Sequence, residues 1–177
     1  MRTLKLAAVL SCAVASGALA ASLPAPIAPA SDGKLQCYMP KPATKSCQSL
    51  AGYKLGLDGV ILNPAAVLIS PQPAIIMRAV TPVSIKAQQV CGTVRAEDIA
   101  AAEFMIDGNP ATDAQAAMLR KQIIAAQSSL IGHEICTTYV PDGDGQIAKA
   151  FVDGVAQPAM DQKVMWVSAR DGFKVQP

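Results

Sequence analysis

Aromatic residues are scarce in this 177-residue chain, at 4% (three Tyr, three Phe, one Trp), and His133 is the only histidine. So few rings argue against a stacking platform for bases or sugars. Clusters of Lys and Arg are missing too. Of 15 basic residues, Arg2 and Lys5 belong to the extreme N-terminus, leaving 13 against 13 acidic ones. A chain so balanced lacks the electrostatic footprint that phosphate backbones require, which excludes nucleic acid as a partner. No Cys-x-x-Cys pair and no Gly-x-Ser-x-Gly elbow occur. Their absence removes the thioredoxin-like redox, zinc-knuckle and serine-hydrolase signatures.

What is present begins with an export signal. Met1-Arg2-Thr3-Leu4-Lys5 is a short basic stretch, Leu6 to Val14 is apolar, and Ala18-Leu19-Ala20 is a small-x-small cleavage site. The apolar part is too short to serve as a spanning helix. Cys12 does not make a lipidation site, because bulky Leu10 stands where a small residue is usual. The expected organisation is a signal peptide over 1–20, a flexible Pro/Ala-rich spacer over 21–36, and a single small domain over 37–177. Pro64, Pro71, Pro73 and Pro82 disqualify the apolar stretch 55–80 as a membrane helix, so no integral membrane segment is expected after signal cleavage.

Removal of Cys12 with the signal leaves an even four cysteines, Cys37, Cys47, Cys91 and Cys136. In an oxidising destination these form disulfides. Of the three possible connectivities, Cys37 with Cys47 and Cys91 with Cys136 is the expected one. The first would close a Pro-containing loop and the second would tie the ends of a helical excursion.

Short β-branched runs at 53–62, 66–69, 74–80 and 83–90 read as strands punctuated by prolines. A helix is predicted over 96–106. A second, opened by the capping box Thr112-Asp113-Ala114-Gln115, is predicted to run to Ile131 and stop at Gly132. Its apolar stripe is Ala116, Leu119, Ile123, Ala126 and Leu130. Strand signals return at 133–140, 147–152, 163–168 and 173–175, with Arg170-Asp171-Gly172 as a hairpin turn. Segregated strands and helices predict an α+β fold: an antiparallel sheet with a two-helix hairpin (about 96–131) packed on one face, and two disulfides. Val164, Trp166 and Phe173 are expected in that interface.

Candidate chemistry is thin. Asp142-Gly143-Asp144-Gly145 resembles the middle of a calcium loop, but Val140 and Phe151 would occupy the first and twelfth positions and neither offers an oxygen. A plain turn is the simpler reading, since seven glycines in this chain follow an Asp. His133 could act as a general base for Ser128 or Ser129, and Glu103 with Asp107 could form a carboxylate pair. None of these patterns is specific, so no catalytic, cofactor-binding or metal-ligating residue is assigned and no cofactor is expected. The function expected is that of a periplasmic or secreted, disulfide-stabilised, non-catalytic binding protein. Its partner would be an unknown protein, an envelope component or a small apolar ligand, engaged by the sheet face or the Cys37–Cys47 loop. The alternative is a small secreted hydrolase using His133.

Overall fold

A computed structural model describes residues 22–56 and 58–177; the expected signal peptide lies outside the described residues. Eight strands form the body: β1 (Leu35–Tyr38), β2 (Ser49–Ala51), β3 (Ile61–Pro71), β4 (Ala74–Lys86), β5 (Gln89–Thr93), β6 (Glu134–Asp142), β7 (Gly145–Val152) and β8 (Gln162–Val167). Each pairs antiparallel with the next in sequence, and β1 pairs with β8 through Leu35↔Val167 to Tyr38↔Val164. The result is a closed up-and-down β-barrel. Closure leaves the main wall without an edge strand.

This corrects the expected α+β sheet. Helix α1 is only Ala96–Ala100, and the chain then enters a strand, Glu103–Ile106, where helix was predicted. Helix α2 (Asp113–Ala126) keeps its capping box: Thr112 Oγ1 accepts from the Gln115 amide at 3.3 Å and Gln115 Oε1 accepts from the Thr112 amide at 2.9 Å. Ala116, Leu119 and Ile123 are buried as the stripe predicts, whereas Ala126 is exposed. The helices do not lie on the face of an open sheet. They pack with Phe104 and Ala102 against Ile75, Met77 and Ala79 of β4, at one end of the barrel.

The other end is filled by the N-terminal segment. Composition makes residues 21–36 a flexible spacer, yet Ser22–Lys34 is folded against the barrel, through a 3-10 turn over Ala28–Asp32, and Gln36 already lies within β1. Ile27 is fully buried and Leu23 nearly so, packed with Tyr53, Val90, Ile61, Val83 and Ile85. Two apolar side chains at this spacing are too few to register as a pattern, but they suffice to stopper a barrel. The C-terminal residues cover part of the outer wall. Lys174–Val175 pairs in parallel with Ser46–Cys47, and Phe173 joins Cys37, Cys47, Leu35, Leu50, Met165 and Val167. The expected hairpin at Arg170-Asp171-Gly172 is instead a 3-10 turn, Ala169–Asp171, ended by Gly172 at φ 76°.

Pro71 and Pro73 mark the end of β3 and the turn into β4 as expected, but two prolines do not break their strands. Pro64 and Pro82 lie inside β3 and β4, opposite Val80 and Leu62. The Pro64 carbonyl accepts from the Gly52 amide, on the side away from β4, so Pro64↔Val80 is a non-hydrogen-bonded pair. Leu62↔Pro82 has the same parity. Neither missing N–H therefore costs a bond in the β3–β4 ladder.

The β4–β5 connection turns over Ala87 and Gln88, both in the left-handed region at φ 46° and 65°. Such turns favour Asn-Gly, and a side chain there costs on the order of 1 kcal/mol. Gln88→Gly is expected to raise stability by about 1 kcal/mol and Tm by roughly 2–4 °C in a thermal melt. An unchanged or lower Tm would show that the Gln88 side chain compensates.

Candidate functional site

Inward-facing positions alternate along each strand, and the barrel interior is not uniformly apolar. Gln36 is completely buried, and all three tyrosines of the chain, Tyr38, Tyr53 and Tyr139, converge on it. Tyr53 donates to Gln36 Oε1 at 2.8 Å; Tyr38 and Tyr139 approach the same oxygen at 3.1 and 3.2 Å. The Tyr38 and Tyr139 hydroxyls are 2.8 Å apart, and those of Tyr53 and Tyr139 3.3 Å. Gln36 Nε2 is buried with no partner among the described residues. Burial pushes the Tyr38 and Tyr53 phenols well above their ordinary range, with the Tyr139 phenol adding to the shift in both.

The tyrosines form one wall of a cavity of about 290 Å³, completed by Asn63, Thr81, Thr137 and apolar residues including Met77, Val90 and Ile135. That volume is at the lower edge of the range for small-molecule sites. Trp166, expected in the core, is half-buried and packs on Tyr53 with ring centroids 6.5 Å apart.

One stretch of the wall lacks ladder pairing, although Gly92 of β5 lies close to Thr81, Pro82 and Val83 there. On the side of β4 away from β3, Arg78 pairs with Glu103 and Ser84 pairs with Cys91, but Ala79–Val83 between them has no strand partner. Thr93, Val94, Arg95, Asp98 and Ile99 line the cavity at this stretch. Arg95 is clamped to Asp98 through two hydrogen bonds, one of them from Nε at 3.0 Å. Comparison of the chain with protein-family models, curated proteins and solved structures finds no match.

The residues singled out in the sequence lie elsewhere. His133 is about half-exposed, and its Nδ1 is 2.5 Å from Asp153 Oδ2. Neither Ser128 nor Ser129 has a hydrogen bond to it among the described residues, and it does not line the barrel cavity. Glu103 and Asp107 stand at opposite ends of a short hairpin, where Glu103 pairs with Arg78 across the sheet and Asp107 accepts from the Ala74 amide. Asp142 and Gly145 face each other across the β6–β7 turn, and Gly143 takes φ 56°. A Cβ on Gly145 would lie 2.8 Å from the Val164 carbonyl oxygen. Turn geometry and close strand approach thus account for both glycines of the calcium-like stretch.

Cys37 is joined to Cys47 and Cys91 to Cys136. Glu134 lies beside Cys91 and Cys136, but sulfurs bonded to each other are not thiolate ligands, and Glu134 is paired with Lys86 at 2.5 Å. The tyrosine cluster escaped sequence reasoning because its members are far apart in the chain. The available signal was that a chain with so few aromatics places each tyrosine on an inward position of a strand or strand end.

Asp153 is held below the usual carboxylate range by the hydrogen bond from His133 and by the Glu134 amide. Its contribution to stability is present above about pH 4 and is lost as pH falls through its lowered folded value. Denaturant titrations of the wild type and Asp153→Asn should therefore differ at pH 5 and converge on strong acidification. A constant difference would assign the effect to something other than this carboxylate.

Proposed function

We propose that this protein is an exported, non-catalytic binding protein that holds a small ligand inside its β-barrel. The cavity at the tyrosine cluster carries this reading. A barrel of this size could fill its centre with aliphatic side chains, and polar groups buried there require partners. The proposed route of entry is the stretch Ala79–Val83, where the wall lacks ladder pairing. Two disulfides are consistent with an oxidising, extracellular environment, and they support the reading of Met1–Ala20 as an export signal. No described helix is long and apolar enough to cross a membrane.

The test is native mass spectrometry of the protein isolated from its own compartment, alongside Thr137→Trp, which fills the cavity. A small molecule retained by the wild type and lost from a folded Thr137→Trp supports the reading. Equal retention by both would overturn it. His133→Ala is expected to leave retention unchanged; its loss in that variant would favour a site at His133 and Asp153.

A further inference from the structure

We infer that the ligand is a small neutral molecule that donates a hydrogen bond, an alcohol, phenol or N–H heterocycle on a compact apolar body, received by the tyrosine cluster. The inference rests on the cavity reading above and specifies its chemistry.

Donors and acceptors at the cluster do not balance. Three hydroxyl protons meet five acceptor positions, two on the Gln36 carbonyl oxygen and one on each phenol. The 2.8 Å contact from Tyr53 has the length of an O–H···O bond, in keeping with the oxygen of Gln36 facing the phenols. The three phenols do not close into a ring, since no hydrogen bond joins Tyr38 to Tyr53 among the described residues, so however the protons are arranged at least one phenol oxygen keeps an acceptor position. Gln36 itself does not line the cavity, so its amide nitrogen adds no donor there. Asn63, on the same cavity wall, adds a further acceptor. Its Nδ2 donates to the Gly52 carbonyl at 2.7 Å, which fixes Oδ1 as the other end of the amide, and that oxygen has no partner among the described residues.

Charge is disfavoured. Tyr38 and Tyr53 remain protonated because burial opposes the phenolate, so the cluster offers no formal charge to neutralise a cation. The guanidinium at the proposed entry, Arg95, is engaged by Asp98 and Glu97, leaving it poorly placed to receive an anion. An ion entering the cavity would be desolvated without compensation. The apolar remainder of the lining, Met77, Val83, Val90, Ile99 and Ile135, suits a hydrocarbon body.

Isothermal titration of the folded protein with phenol, anisole, benzoate and cyclohexylammonium tests this. Phenol is expected to bind at least tenfold more tightly than anisole, which has the same ring but no donor, and more tightly than either ion. Tyr139→Phe, checked for folding by circular dichroism, should narrow the phenol-to-anisole ratio; the wild-type ratio decides the matter if that variant does not fold. Anisole or an ion binding as tightly as phenol would overturn the donor inference and leave the cavity reading standing. If none of the four binds, the cavity reading falls and this inference with it.

Discussion

Above about pH 10 the protein is expected to lose roughly 2.7 kcal/mol of stability per pH unit and to unfold cooperatively, releasing tyrosinate absorbance in the same transition. The cause is the burial of Tyr38 and Tyr53 against Gln36. The unfolded chain gives up these phenolic protons near pH 10, whereas the folded chain retains them. Stability is therefore complete below pH 10 and falls as pH rises towards the folded values. Each tyrosine contributes about 1.36 kcal/mol per pH unit over that interval, and a domain of ordinary stability, about 5–15 kcal/mol, has little reserve against two. Absorbance at the tyrosinate band and far-ultraviolet circular dichroism, followed together, provide the check. Normal ionisation of Tyr38 and Tyr53 with the fold intact would show that the cluster is open to solvent.

Removing the Cys91–Cys136 disulfide is expected to cost about 4 kcal/mol, against about 2.7 kcal/mol for Cys37–Cys47. The difference follows from sequence separations of 45 and 10 residues. Placement adds to it. Cys91 and Cys136 are directly opposed on β5 and β6, at the base of the excursion that carries α1, α2 and the Glu103–Ile106 strand. Without the bond, that excursion becomes a long loop whose closure only β5–β6 pairing and its own contacts with β4 stabilise. Denaturant unfolding of Cys91→Ala/Cys136→Ala and of Cys37→Ala/Cys47→Ala measures both values. A larger loss from the shorter loop would mean that packing around Cys37, Cys47 and Phe173, and not chain entropy, dominates.

Local chemistry was legible where it acts over a few residues. The Thr112 capping box and the Asp-Gly turns follow from side chains interacting with nearby backbone, and the buried face of Ala116, Leu119 and Ile123 follows from apolar spacing at the helical period. The prediction of helix over 96–106 failed at Ala101, because pairing of Glu103–Ile106 with β4 outweighs the weak local preference. Leu35–Tyr38 and Ser49–Ala51 went unread as strands because they are only four and three residues long. They nevertheless close the barrel.

Sequence alone determined that basic and acidic residues nearly balance, at 15 against 13, that four cysteines follow Cys12, and where the second helix starts, though not its end, which comes at Ala126 and not Ile131. Each depends on composition or on contacts within about one turn of chain. Tertiary structure alone decided that the sheet closes, that Leu23 and Ile27 stopper one end, and that Tyr38, Tyr53 and Tyr139 meet at Gln36. These depend on the pairing of β1 with β8, the first and last strands of the barrel. Hydrophobic periodicity says which face of a strand is inward but not which distant strand will lie beside it.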